Sequence, residues 1–397
     1  MNMNQPESQA DDLRFSLVRG DPWFRLQRAI GLIPSTGLGI ARRCLVFALV
    51  TWLPIAIWSL LWQRAFPGEI EEPLLRHFGV HVRCLVAIPL FVIAGAAGDL
   101  IPQRLVPYFV SSGLVADEVR PRFVQILRAV ERLRDAWPVW AGMLAFTLIF
   151  VTIEHDPAHL HELIWASAGS TGSAWLGFGA WWFLFVVRPV FILLLLAWLW
   201  RLVVCAVLLW RISRLPLQLV PTHPDRAGGL GFLEEMPFIF TPVVFAMSAV
   251  IASRWGHEVL YHDLDVHSLM IPVALFVVAM LVLYLGPLAS FLRSLRHLKR
   301  QGLLEYGALV GRHGRLVRRR WIAQEPVAES PLLQAAELGP VIDTVSMYEV
   351  VAGIRPSPIG KRSLLAIVLP ALLPMIPVFA IQIPVKEMLL KLLKALI

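Results

Sequence analysis

The chain has 397 residues, of which 57% are apolar and only 16% charged, against about 45–50% and about 25% in soluble domains. At a mean hydropathy of +0.67 this excludes a water-soluble globular protein, because no fold could hide so much apolar surface and still present a wettable exterior. The net charge of +8 would by itself admit a nucleic-acid partner, but the cations flank apolar runs, which points to a membrane.

Residues 1–43 carry charges throughout and lack the short apolar core and small-residue cleavage site of a signal peptide. They are expected as a cytoplasmic N-terminal segment, the first span serving as its own insertion signal. A span needs about 20 mostly apolar residues to cross about 30 Å of hydrocarbon. Such runs occupy 44–62, 83–101, 137–153, 178–210, 236–253, 270–292 and 363–383. The expected fold is therefore all-α, a polytopic membrane bundle of about seven transmembrane helices. Residues 44–292 form a six-helix membrane region and 293–362 a basic cytoplasmic segment. Residues 363–397 supply the seventh helix and a lysine-bearing amphipathic helix on the outer interface. Cys44, Cys84 and Cys205 fall inside apolar runs with no CxxC spacing and read as packing residues.

Orientation follows from lysine and arginine. With the N-terminus inside and the C-terminus outside, the inner segments hold 27 of these residues and the outer segments 6. The densest basic run, Arg312 to Arg320, lies in the segment that follows the sixth span, where it would fix topology and touch anionic headgroups. No aromatic-interleaved reading motif accompanies it, so nucleic acid is not an expected partner. The expected location is a bacterial inner membrane, and the expected partners are the bilayer, its anionic headgroups included, and as a candidate a second copy of the chain.

Residues 116–137 place Val119, Phe123, Ile126, Leu127, Val130, Leu133 and Trp137 on one helical face, opposite arginines and acids. This predicts a cytoplasmic amphipathic helix leading into the third span. From 175 to 213 a helical pattern runs for about 58 Å, nearly twice the hydrocarbon thickness, with Arg188-Pro189 inside it. Either one long kinked helix or a re-entrant piece plus a span satisfies that length. Prolines 54, 89, 189, 242, 272, 370, 374 and 377 recur within spans, and the run Ala94-Gly-Ala-Ala-Gly98 would let two helices approach closely.

Two stretches, PLQLVPTHPDRAGGLGFL at 216–233 and the C-terminal third from MYEVVAGIRPSPIGKRSLLAIVLPALLPMIPVF onward, cover about a quarter of the chain. In these the chain resembles a family of uncharacterised bacterial integral membrane proteins. The resemblance implies membrane identity and no activity, ligand or catalytic residue.

Three groups of residues are candidate sites. In the THPDRAGGLGFL loop, His223, Asp225 and Arg226 precede Gly228, Gly229 and Gly231, and glycine-rich turns entering a helix can cradle anions on free N–H groups. This makes the loop a candidate for ligand binding or gating, against the plainer reading of a tight structural turn. The loop contains neither nucleotide fingerprint. Outer loops hold His155, His159 and His161, and His257, His262 and His267, with acids beside them. Imidazole and carboxylate suit zinc, copper or nickel, so a transition metal is the one candidate cofactor, against the plainer reading of solvated loops. Finally, Arg188 and Arg201 lie within the fourth span, where a charge costs roughly 2.5–3.5 kcal/mol and normally faces a partner, water or a pore. No acid lies inside any span to pair with them, although Asp99 sits at the inner end of the second, and the plainer reading is that the arginine stems snorkel to the surface. With the inner interface near Arg211, Arg201 is expected near the bilayer midplane and Arg188 near the outer headgroups.

No nucleophile–base pair, metal motif or phosphate loop stands out, so an enzyme is the minority expectation. The leading expectation is a channel or transporter-like protein for a small ion or solute. The alternative is a non-catalytic membrane assembly or sensor component.

Overall fold

The structure is a computed structural model that describes residues 13–35, 37–66, 73–153, 165–166, 177–325 and 339–382. Among them every regular element is helical. Six helices are long and apolar enough to cross a membrane, and a seventh span results if the 3-10 segment Gly231–Ile239 and the helix Thr241–Tyr261, bent by 42°, count as one. The chain is a multi-pass α-helical membrane protein.

The first four spans are built as two units of one plan. The first unit runs from a short amphipathic helix α1 (Pro22–Ala29) through α2 (Ile40–Leu61) to the long α3 (Phe78–Ser111). The second repeats it as α4 (Arg120–Arg134), α5 (Trp137–Ile153) and α6 (Phe178–Ile212). α1 opens with Pro22-x-Phe24 and α4 with Pro121-x-Phe123, each proline in the first turn where its missing N–H costs nothing. Both phenylalanines are buried. α3 and α6 correspond turn for turn. Each starts Phe-Gly, continues α-helical for five residues, opens into a five-residue π turn (Arg83–Ala87; Phe183–Val187), and resumes at Ile88-Pro89 or Arg188-Pro189. A proline ring collides with the carbonyl four residues back, and a π turn there relieves the clash without ending the helix. The fourth span is thus one continuous helix with a π turn, which removes the need for a re-entrant piece.

Proline breaks elsewhere are repaired by donors from neighbouring helices, as a span in lipid requires. Pro54 frees the carbonyl of Val50, and Trp182 Nε1 of α6 donates to it at 3.0 Å. Pro370, inside α11 (Lys361–Leu372), frees that of Ala366, and Thr241 Oγ1 of α7 (Thr241–Tyr261) donates to it at 2.9 Å. Ser248 Oγ donates to Ala371 O at 2.6 Å, a second polar tie between α7 and α11. The sixth span, α8 (Met270–Leu285), continues through a 3-10 turn into α9 (Leu292–Val317). α9 takes in the first part of the Arg312–Arg320 basic run, and α10 (Gly339–Ala352) packs along it. A groove of apolar side chains, among them Leu49, Leu53, Ile57, Trp58, Phe178 and Trp182, lies open on α2 and α6.

α3 and α6 hold 34 and 35 residues, roughly 50 Å each, and so extend well beyond a 30 Å hydrocarbon layer. The N-terminal segment packs against these two helices where the arginines gather. Leu13, Phe15, Leu17, Val18 and Phe24 are all buried there, and Leu17 N donates to Gly98 O at 3.0 Å. The AGAAG run thus serves two neighbours: a Cβ at Gly98 would meet Val18 at 3.0 Å and Trp198 at 3.2 Å. Part of the charged N-terminal segment thus belongs to the core.

Candidate functional site

The basic end of the bundle carries the most concentrated polar chemistry, and each member is placed by a specific element. Asp21 caps α1: one carboxylate oxygen accepts from Phe24 N at 2.6 Å, as N-cap residues do. The other accepts from Arg201 Nη2 at 2.7 Å. Asp21 is fully buried and Arg201 is 4% exposed, its guanidinium also 4.8 Å from the centre of the Trp198 ring. Arg43, in the first turn of α2, is 3% exposed and donates through Nε to Gln27 Oε1 at 2.6 Å. Around this pair of arginines, Arg19 bonds Asp99 at 2.8 Å, Gln103 bonds Asp99 at 2.6 Å, and Arg134 donates to Ser16 O and pairs with Asp135.

The partner of Arg201 is thus an acid from the N-terminal segment, outside any span. Arg188 lies mid-helix next to the π turn, buried, its guanidinium 5.9 Å from the Phe183 ring. It sits ten residues from the start of α6, well inside the helix and away from its end.

The two long helices meet at equivalent positions of the two units. Arg83 lies 5.3 Å from the Phe183 ring, Phe91 and Phe191 rings are 5.6 Å apart, and Gly98 faces Trp198. Contacts between like-numbered positions along two parallel helices are what a pseudo-two-fold axis between the units produces. The sequence contained this signal: Phe-Gly at 78 and 178, proline at 89 and 189, and Arg-Ala at 28 and 128 all recur one hundred positions apart.

The glycine-rich loop is organised from within. Asp225 accepts from the N–H groups of Ala227 at 2.8 Å, Gly229 at 3.2 Å and Gly231 at 2.7 Å, and the His223 ring lies 2.8 Å from the same carboxylate. Partial burial pushes this carboxyl up, but the four hydrogen bonds outweigh it and hold it below the usual aspartate value. The N–H groups that could cradle an external anion are thus turned onto the chain's own carboxylate. Arg226, Gly228 and Gly229 adopt positive φ, and a Cβ at Gly228 would approach Leu298 to 2.7 Å, so glycine is required there.

Arg355 then joins this loop to the C-terminal third. Its guanidinium donates to Asp225 O at 3.0 Å and Ile359 O at 3.2 Å and pairs with Glu234 at 2.6 Å, while its own N–H donates to Arg226 O at 2.8 Å. Gly360 lies against Glu234 with no room for a side chain. The two stretches singled out in the sequence meet here, at one arginine.

Of the outer histidines, His155, His159 and His161 lie outside the described residues. His257 stacks on His77 with ring centres 5.4 Å apart and lies 5.5 Å from His262, while His267 hydrogen-bonds Asp265. Among the described residues, no group of three or more His, Cys, Asp or Glu side chains is arranged to hold a metal. No known protein family, curated protein or solved structure matches the chain.

Proposed function

We propose that this multi-pass membrane protein is a channel or transporter-like protein for a small ion or solute, set in a bacterial inner membrane with its basic end in the cytoplasm. The observation that carries this reading is the paired construction of α3 and α6. Two units of the same plan and the same direction face each other through helices broken at the same place, Arg83–Pro89 and Phe183–Pro189. Repeats related by an axis along the membrane normal, with interrupted helices at their interface, are a recurrent plan for moving solutes through a bilayer. π turns leave a helix locally under-bonded and are common at functional positions. Here they bring Arg83 and the Arg188 that follows the second turn close to the unit interface, both facing Phe183. Arg188 is buried, and a charge buried within a span is retained where it serves a path or a partner.

The test is reconstitution. Purified protein in vesicles should take up tracer chloride, phosphate or a small cation faster than empty vesicles, and Pro189→Ala should change that rate without loss of folded protein. Uptake equal to empty vesicles for every solute tried would favour the assembly or sensor role.

A further inference from the structure

We infer that the cavity between α1 and the loop leading to α2 binds the phosphate group of a soluble phosphate monoester. The site is separate from the solute path proposed above and does not rest on that reading.

After α1 the chain turns back on itself, Leu32 N and Ile33 N both donating to Gln27 O at 2.9 and 3.3 Å. The turn leaves a cavity of about 310 Å³ beside the helix, at the small end of the range for ligand sites, about 300–1,000 Å³. Phe24 and Ile33, 6% and 3% exposed, give it an apolar floor. Arg19, Arg25, Arg28 and Ser35 line the same space, and among the described residues no acid does.

The three arginines have donors to give. Arg25 and Arg28 are exposed, and neither is paired with an acid among the described residues. Arg19 meets Asp99 through Nε, at 2.8 and 2.9 Å, so its two Nη groups are left for a ligand. Arg25 and Arg28 stand three residues apart on α1, where like charges repel, and an anion between them turns that repulsion into attraction. The last carbonyls of α1 are already occupied: Leu26 O accepts from Ile30 N and Arg28 O from Gly31 N.

Charge and shape select the group. A guanidinium fork matches two oxygens of a phosphate. A monoester carries a charge of about −1.5 to −2 near pH 7, which suits two arginines without an acid, whereas a diester carries a single charge. The apolar floor receives the carbon part of the ester, which a bare ion lacks.

The helix also fixes the side of approach. At 3.6 residues per turn, Trp23, Leu26 and Ile30 fall on one side of α1 and Arg25 and Arg28 on the other. Trp23 stacks on Phe47 of the first span, and Leu26 and Ile30 are 52% and 68% exposed, which sets that side against hydrocarbon. The arginine side and its cavity face away from the lipid, toward solution.

The experiment uses the full chain purified in neutral detergent, with methyl phosphate or dimethyl phosphate titrated at fixed ionic strength. Binding is read by calorimetry and by the shift in thermal unfolding. Methyl phosphate should bind saturably. Dimethyl phosphate should bind wild type about tenfold more weakly, and Arg25→Gln and Arg28→Gln should each weaken methyl phosphate by a similar factor. Ser35→Phe fills the cavity and leaves every charge in place, so it should abolish binding. Arg312→Gln removes the same charge from the basic run of α9 and should leave binding unchanged. Should Ser35→Phe fail to fold, the two arginine variants, both at exposed positions, decide. No saturable binding of methyl phosphate by wild type would overturn the site. So would equal losses in Arg312→Gln and Arg25→Gln, which would mean attraction to positive charge in general, or binding that survives in folded Ser35→Phe. Dimethyl phosphate bound as tightly as methyl phosphate, or affinity only for vesicles of phosphatidylglycerol, would give the arginines to a lipid headgroup and overturn the soluble ligand. Solute uptake by vesicles bears on the transport reading alone, so the two can fail separately.

Discussion

Asp21 and Arg201, 180 positions apart in the chain, meet at 2.7 Å in the buried basic end of the bundle. The carboxylate that pairs the arginine is the one that caps α1, so the N-terminal segment cannot leave without stranding a buried charge. Removing one partner of such a pair costs about 3–5 kcal/mol, because the other stays buried and uncompensated. Arg201→Leu and Asp21→Leu should each lose most folded yield, measured by size-exclusion chromatography in detergent. The double substitution Asp21→Asn/Arg201→Leu should recover much of it, since asparagine still caps the helix. Equal yield from Arg201→Leu and wild type would show that the pair does not hold the segment.

The glycine-rich loop should be insensitive to pH until strongly acid conditions. Asp225 is held below its ordinary value by hydrogen bonds to its ionised form. A depressed carboxyl contributes stability that is present above its unfolded value, about 3.9, and is lost as pH falls through the folded one. Hydrogen exchange at Ala227, Gly229 and Gly231 should therefore stay slow, after correction for intrinsic rate, from pH 7 down to about 4 and rise only below that. Asp225→Ala should exchange fast throughout.

The Arg355 side chain couples the loop to the C-terminal third through two carbonyl acceptors and Glu234. Arg355→Ala should speed exchange in both Arg226–Gly231 and the turn at Gly360. Arg355→Lys should rescue little, because a point ammonium cannot make the same forked set of contacts. Faster exchange confined to one of the two stretches would mean that they are not coupled.

Topology is open to direct assay. Reporter fusions after residues 70, 165 and 262 should report periplasm, and those after 115, 225 and 330 cytoplasm. Fusions at 115 and 225 follow the ends of α3 and α6, so the two-unit plan requires them to agree. A cytoplasmic signal at 165 would contradict both the charge bias and the repeat.

The helical class and the spans were legible because hydropathy over 20 residues is a sum that no single position can spoil. The amphipathic face at 116–136 was legible for the same reason, and it appears as α4 with Phe123, Leu127 and Val130 buried. What the sequence hid was pairing across distance. Asp21 and Gln27 sit in a charged stretch with no motif to mark them, and only the fold carries them to Arg201 and Arg43. The loop at 223–231 was visible as a motif, but its glycines suggested an outside anion when the carboxylate they serve was Asp225, two residues upstream of the first N–H. The repeat was written in a few positions only, since lipid-facing residues between them need only be apolar.

Solute movement across a reconstituted bilayer tests the transport reading most directly. Vesicles containing the wild-type protein should exchange tracer chloride, phosphate or a small cation faster than empty vesicles, and Pro189→Ala, which alters the π turn of α6, should change that rate in folded protein. Exchange equal to that of empty vesicles for every solute would contradict transport.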